Sequence, residues 1–317
     1  DVRINASKTI GKLGIKEGED PLFAVLEKDK DAQVRVASLQ SLAMINGGNM
    51  ERAIKVALSD QNKEVRVAGL NLLKDQKISQ KLVVDLLAEV IEKRTTEEKQ
   101  AALLTLGSVP LEYSQPVFDQ LLNDMEEGIL PPEIQLELSE SLTASGAKGL
   151  IDRYEAYYSG LSSDSLSASY LGSLQGGNAE LGRRVFFRNQ SAQCIRCHAY
   201  DDMGGGAGPP INGIADKLSR QQLLEAMIEP SKRLAPGFGV VTLDLDNGKK
   251  VSGVLEEETE TGLTLKMGNN PDTVIQKSNI VDRISAPSSM PDMKNLLTRR
   301  EIRDLVSFLA TLKEGEE

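Results

Sequence analysis

The chain has 317 residues, and its 37 Lys and Arg against 47 Asp and Glu give a formal net charge of −10. Nucleic-acid-binding domains usually present a basic face, so DNA and RNA are not expected partners. The apolar fraction of 40% and the charged fraction of 26% argue against disordered, collagen-like and disulfide-scaffold chains. No apolar run approaches the ~20 residues that a membrane-spanning helix needs, and residue 1 opens on helical periodicity. We therefore expect a mature or truncated chain without a transmembrane segment.

Residues 1–160 contain a repeated pattern. Val-Arg-Val-Ala occurs at 34–37 and again at 65–68, and weaker copies begin at residues 2, 98 and 134. Each copy leads into an apolar helical stripe, and a second stripe follows before the next copy, which predicts about five stacked helix pairs. The pattern resembles HEAT repeats, and this resemblance implies a curved α-solenoid whose stability is a sum of interfaces between neighbouring repeats.

No catalytic group of residues accompanies the repeats, because residues 1–160 contain neither His nor Cys. We predict that this half is an interaction surface or a spacer. Arg35 and Arg66 occupy the same place in two repeats, and we expect them to bond to an Asp of an adjacent turn rather than to mark a ligand site. Residues 161–177 are rich in Ser and Gly and predict a linker.

The two cysteines and the one histidine of the chain lie together, in the motif Cys194-Ile195-Arg196-Cys197-His198. Two thiols three residues apart can add to the two vinyl groups of haem, and the adjacent imidazole then ligates the iron. Three alternatives are a thioredoxin-like dithiol, half of a zinc site and an inert buried pair. A structural zinc site uses four ligands, and the motif offers three, so the motif favours one covalently bound haem c.

Residues 178–317 resemble the haem-binding c-type cytochrome domains of planctomycete and verrucomicrobial type, which are attached to helical repeats. The matching segments are Gly182-Arg-Arg-Val-Phe186-Phe187, Gly208-Pro209-Pro210-Ile211-Asn212-Gly213-Ile214, Ser289-Met290-Pro291, and residues 297–309.

The resemblance implies roles for residues on both sides of the motif. The Pro209 carbonyl would accept the imidazole N–H of His198, which fixes the tautomer of the ring, and Ile211 would lie at the haem. The last helix, with Thr298 as its N-cap and Glu301 three residues on, would pack its Leu305 and Phe308 against Gly182 and Phe186.

The sixth iron ligand can also be argued from composition. One His excludes coordination by two histidines of this chain, so a Met is the leading internal candidate. Met290 precedes Pro291, which keeps it extended, and we predict that Met290 and His198 are the iron ligands, with Met293 as the next candidate. Met203 is only five residues from His198, Met227 has the spacing of a core residue, and Met267 ends a strand-like run.

Between about residues 238 and 285 the pattern changes from helical to strand-like. Alternating and β-branched runs predict a four- or five-stranded antiparallel unit, and Asp246-Asn247-Gly248 predicts a tight hairpin turn. We expect this insertion to be a decoration without chemistry of its own. The chain has no Trp, so Arg233 or Lys232 is the predicted partner of a haem propionate.

The predicted fold is mainly α, with a HEAT-like α-solenoid at 1–160 and an all-α monohaem cytochrome c domain at 178–317 that carries the small β insertion. His/Met ligation fills both axial positions and predicts electron transfer rather than catalysis. The alternatives are binding or sensing of a gas or peroxide, and a HEAT scaffold with a structural haem.

Similar architectures carry an upstream β-propeller that resembles PQQ-dependent sugar dehydrogenases. The resemblance therefore implies a redox partner protein or an upstream dehydrogenase domain as electron donor. It also implies a periplasmic or exported location, because haem c is attached outside the cytoplasm in such families.

Overall fold

A computed structural model describes residues 2–73, 78–161, 169–268 and 270–314. The chain divides into two units, one ending at Leu161 and the other beginning at Ser162. The described residues are mainly helical and include a small antiparallel sheet of five strands. This confirms the prediction of a mainly α protein with a small β element. Across the same ranges, every helix is too short or too polar to cross a membrane.

The helices of the first unit follow one another in pairs, as the repeat pattern predicts. Odd-numbered helices begin at or near the repeated anchors, and each packs against the next odd-numbered helix. The helices are α1 (Val2–Lys12), α2 (Glu19–Lys28), α3 (Ala32–Ile45), α4 (Met50–Leu58), α5 (Lys63–Leu73), α6 (Gln80–Lys93), α7 (Thr96–Leu106), α8 (Leu111–Glu126), α9 (Gln135–Ser145) and α10 (Lys148–Leu161).

Small residues and side-chain caps explain where these helices begin and how closely they cross. The Asp31 carboxylate accepts a hydrogen bond from the backbone N–H of Gln33 and caps α3. A Cβ at Gly11 would lie 2.8 Å from the Cα of Ser41, so glycine is what permits the close crossing of α1 and α3. The apolar stripes face inward, and large side chains such as Leu39 and Phe118 are fully buried.

One set of ion pairs joins an arginine on the first helix of a repeat to a carboxylate of the next repeat. We call this set the arginine ladder: Arg3–Asp29, Arg35–Asp60 and Arg66–Glu98. Arg35 donates to both carboxylate oxygens of Asp60, at 2.7 and 2.8 Å, as predicted. Arg66 donates to both oxygens of Glu98, at 2.5 and 3.0 Å. Arg66 also donates to the backbone carbonyl of Asp60 at 2.7 Å, so the predicted Asp contact is present. Its ion-pair partner, however, is a Glu in the first turn of α7 and not an Asp carboxylate.

Glu98 supplies the first of our testable predictions. Its side chain is 1% exposed, and the hydrogen bonds from Arg66 lower the pKa of its carboxyl group. We expect Glu98→Gln to lower the free energy of unfolding by roughly 3 kcal/mol at pH 7, because Arg66 is left with an uncompensated charge. Since the folded-state pKa is below the unfolded value of about 4.3, this contribution is present above pH ~4.3 and is lost as the pH falls through the folded-state pKa.

The matched control is Glu97→Gln, because Glu97 is 57% exposed and its ion pair with Lys63 spans 3.5 Å. We expect that change to cost less than about 1 kcal/mol. Urea unfolding of the three proteins at pH 7 and at pH 3.5 measures the difference. Equal losses for the two variants at pH 7 would contradict the role assigned to the Arg66–Glu98 pair.

The described part of the second unit has four named helices around an apolar core, and the first and last of them cross at a glycine. The helices are α11 (Ala179–Arg188), α12 (Ile214–Lys217), α13 (Arg220–Ile228) and α14 (Arg299–Leu309). A Cβ at Gly182 of α11 would overlap the backbone carbonyl of Asp304 in α14. The rings of Phe186 and Phe308 lie 5.9 Å apart across this crossing, as the resemblance implied. The predicted capping box of Thr298 and Glu301 begins α14.

The predicted β insertion is a second core region of the same unit. Its strands are β1 (Val240–Leu245), β2 (Lys250–Glu258), β3 (Gly262–Lys266), β4 (Thr273–Gln276) and β5 (Ile280–Ser285). All neighbours are antiparallel, in the order β4-β3-β2-β1-β5. Val241, Leu243 and Leu265 alternate with exposed or half-buried residues and are fully buried. The predicted hairpin turn connects β1 and β2, with Gly248 at φ +77°.

Part of the predicted linker 161–177 belongs to the second unit. Residues 162–168 lie outside the described residues, but Leu171–Ser173 form a short 3-10 turn in which Ser173 is fully buried. A Cβ at Gly177 would overlap the backbone of Arg303 in α14. Small residues at these positions therefore permit backbone packing against α14, in addition to the linker role that their composition suggests.

Candidate functional site

The Cys-x-x-Cys-His segment forms one tight helical turn. Cys194–Arg196 are a 3-10 helix, and the backbone N–H groups of Cys197 and His198 both donate to the carbonyl of Cys194, at 3.1 and 2.9 Å. Gln193, in the left-handed region at φ 47°, directs the chain into this turn. The two cysteines and the histidine therefore lie on one turn of the backbone.

The two thiols differ in their surroundings. Cys194 is half-buried and Cys197 is exposed, and neither forms a disulfide. Burial raises the pKa of the Cys194 thiol to about 11. A thioredoxin-like dithiol depends on a thiol whose pKa is lowered, so the environment of Cys194 does not favour that alternative.

His198 is oriented by a hydrogen bond from its ring. Its Nδ1 lies 2.8 Å from the carbonyl oxygen of Pro209. A carbonyl can only accept, so Nδ1 carries the proton and donates, which leaves the lone pair of Nε2 available for a metal. This is the bond that the resemblance implied. Such a bond also raises the basicity of a ligating imidazole.

Glycines after the motif hold its backbone and ring in place. A Cβ at Gly208 would lie 2.7 Å from Cε1 of His198, so the main chain packs directly against the imidazole. A Cβ at Gly205 would overlap the carbonyl oxygen of Arg196, and Gly204 adopts φ +101°. The roles of Gly204 and Gly205 were not predicted from the sequence. The run of three glycines at 204–206 predicts a loop, but it does not indicate which part of the backbone the loop packs against.

Ile211 and the aromatic side chains connect the motif to the core. Ile211 is buried in the core of the second unit, and its N–H donates to the carbonyl of Ala199 at 2.9 Å. The ring of Tyr200, two residues after His198, lies 5.9 Å from that of Phe187 and 6.3 Å from that of Phe308. The motif is therefore fixed to both α11 and α14.

The methionines of the second unit lie in different environments. Met227 and Met293 are buried in the core, and Met203 is 50% exposed. Met267 is half-buried against Gly253 of the sheet. Met290 is half-buried and packs against the core that Cys194 and Tyr200 also contact.

The segment that carries Met290 is held from several sides. The N–H of Met290 donates to the hydroxyl of Ser288 at 3.1 Å, and the N–H of Ser288 donates to the hydroxyl of Ser231 at 3.1 Å. On the sheet side, the N–H of Ala286 donates to the carbonyl of Val240 at 2.9 Å. The following Met293 is buried. These bonds define the backbone position of Met290 relative to both α13 and the sheet.

No protein-family model matches this chain, and neither does any curated protein sequence. Within the described residues, no group of three or more His, Cys, Asp or Glu side chains is arranged to hold a metal ion. The donors of the site are instead two free thiols, an imidazole with a free Nε2 and a half-buried thioether. This set fits a covalently attached haem with His/Met ligation.

Proposed function

We propose that the second unit binds one haem c covalently and functions as an electron-transfer module. Cys194 and Cys197 would form the thioether bonds, and His198 Nε2 and the Met290 sulfur would be the axial ligands. The observation that carries the proposal is the His198 Nδ1–Pro209 hydrogen bond of 2.8 Å beside two free thiols on the same turn. A bound haem supplies reversible one-electron chemistry.

The residues of this chain would orient and shield the group. The Pro209 carbonyl holds the His198 ring in the tautomer that ligates through Nε2. Gly208 permits the backbone to pack against that ring, and the buried Ile211 contributes to the apolar surroundings. A thioether ligand raises the reduction potential, and an occupied sixth position disfavours gas or peroxide chemistry.

For the first unit we propose a HEAT-like solenoid that serves as a scaffold or partner surface. Its support is the alternation of helices with the repeat period and the packing of each odd-numbered helix on the next. An upstream dehydrogenase domain or a separate redox protein would be the electron donor, and the setting would be periplasmic or exported. We propose no catalytic role for either unit.

The direct test is to produce the protein in a host equipped for cytochrome c assembly. We expect an intact mass that exceeds the polypeptide by one haem, and a pyridine haemochrome spectrum of the c type. The pigment should stay with the protein in acidified organic solvent. A colourless protein, or pigment that passes into the solvent, would overturn the proposal.

Replacing the proposed sixth ligand gives a second test. We expect Met290→Leu to abolish the far-red absorption band of the ferric protein, to lower the reduction potential and to allow carbon monoxide to bind the ferrous protein, because leucine has no donor atom. The matched control is Met203→Leu at an exposed methionine of the same unit, which should leave all three properties unchanged. A far-red band that survives Met290→Leu would assign the sixth ligand to another group.

A further inference from the structure

A cavity of about 320 Å³ lies between the turn that follows α13 and the sheet. One wall is formed by residues 231–234, and the other by Glu258 at the end of β2 with Arg283 and Ser285 of β5. The cavity is distinct from the Cys-x-x-Cys-His turn, none of whose residues line it.

The lining of this cavity is positively charged in a chain of net charge −10. Lys232, Arg233 and Arg283 contribute three positive charges, and Glu258 contributes the one negative charge of the lining. Lys232 also pairs with Glu225 and Glu229 outside the lining, at 3.3 and 3.4 Å, so Arg233 is the cation of the lining that no carboxylate of the described residues neutralises. Glu258 is already engaged, because one of its oxygens lies 2.9 Å from Lys277 and the other lies 2.9 Å from Arg283. An anion that enters the cavity therefore meets a carboxylate whose charge is compensated.

The cavity also offers hydrogen-bond donors that the protein does not use. Among the residues that the structure describes, the Arg233 guanidinium has no hydrogen bond and no ion pair. The Ser231 hydroxyl accepts from the N–H of Ser288, so its own proton remains available to a ligand. The Ser285 hydroxyl likewise has no partner within the described ranges. Donors and positive charge together are the chemistry that recognises an oxyanion.

We propose that this cavity is an oxyanion site that takes a carboxylate or a phosphate group through Arg233, Ser231 and Ser285. A ligand on Ser231 is connected to Met290 by two hydrogen bonds, through the backbone and hydroxyl of Ser288. Occupancy of the cavity therefore stabilises the segment that carries Met290. The oxyanion is either a free small ion or a propionate of the haem, and only the second source rests on the proposed function.

Isothermal titration of the whole protein with inorganic phosphate at low ionic strength tests the site. Arg233→Gln removes the unpaired guanidinium, and Lys249→Gln is the matched control. Lys249 lies in the turn between β1 and β2 and does not line the cavity, but its change removes the same charge. For a free ion, we expect phosphate to bind the parent protein, roughly tenfold more weakly to Arg233→Gln and equally to Lys249→Gln.

A propionate occupant gives a different result. In the haem-loaded protein phosphate then fails to bind, but Arg233→Gln shifts the pH dependence of the reduction potential and Lys249→Gln does not. The proposal is overturned when phosphate fails to bind and the two variants have the same pH dependence, or when both variants bind phosphate equally well. The phosphate titration needs no haem, so a colourless protein that binds phosphate through Arg233 would contradict the proposed function and support the oxyanion site.

Discussion

Replacing Cys194 and Cys197 together with alanine is expected to abolish covalent haem attachment. Cys194 and Cys197 are the only two cysteines of the chain, and neither forms a disulfide. Without these thiols, His198 and Met290 could hold a haem only by coordinating its iron. Acidified solvent protonates the imidazole, and the haem is then released. The intact mass of the double variant should equal that of the polypeptide, and the solvent should extract any pigment.

Single variants and a control within the motif sharpen this test. Cys194→Ala and Cys197→Ala each leave one thiol, so each is expected to retain at most a single thioether bond and to shift the haemochrome band. Arg196 lies between the cysteines, and its exposed side chain donates to that of Gln193, so haem attachment should persist in Arg196→Ala. Pigment that remains bound to the double variant in acidified solvent would show that other residues form the covalent bond.

Gly182→Val is expected to destabilise the second unit strongly. The new side chain would overlap the backbone carbonyl of Asp304, and its Cβ would lie 2.8 Å from the Cβ of Phe308. A backbone contact cannot be relieved by a rotamer change, so α11 and α14 must separate. Overpacking of this kind costs about 3 kcal/mol or more, which lowers the melting temperature of a domain of this size by roughly 6–12 °C.

The control for this change is Gly149→Val, at another helical glycine. Gly149 lies in α10 of the first unit, and a Cβ there has no neighbour within 4 Å. Thermal unfolding should be monitored by haem absorbance, which reports on the second unit, and by far-ultraviolet circular dichroism. The haem-monitored transition should move in Gly182→Val and stay in place in Gly149→Val. An unchanged transition in Gly182→Val would mean that the two helices do not cross at this glycine.

Elements that depend on a few neighbouring residues were predicted well from the sequence. The alternation in residues 240–285 predicted the strands, and the Asp246-Asn247-Gly248 run predicted the turn between β1 and β2, because side-chain period and turn chemistry are local properties. The Thr298–Glu301 capping box is local for the same reason. The three motif residues of the candidate site could be chosen without a structure because the chain has no other Cys or His.

Contacts between distant parts of the chain could not be predicted from these patterns. The repeat pattern indicated that Arg66 faces a neighbouring repeat, but the carboxylate within reach is Glu98 on a helix 32 residues away. Gly177 was assigned to a linker because that prediction rested on Ser and Gly content. Such content is the same for a glycine that is exposed and for one that packs against a helix backbone. The cavity beside Arg233 forms only when the turn after α13 meets the sheet.

The arginine ladder has a consequence for how the first unit opens locally. Each arginine lies on the first helix of a pair, and its carboxylate lies just before or within the first helix of the next pair. When one helix pair unfolds, the neighbouring helix pair that stays folded therefore keeps a desolvated charge without its partner. The free-energy cost of that charge opposes stepwise unfolding from one end. From α1 to α7, amide hydrogens should exchange with solvent as one cooperative block rather than in order along the chain.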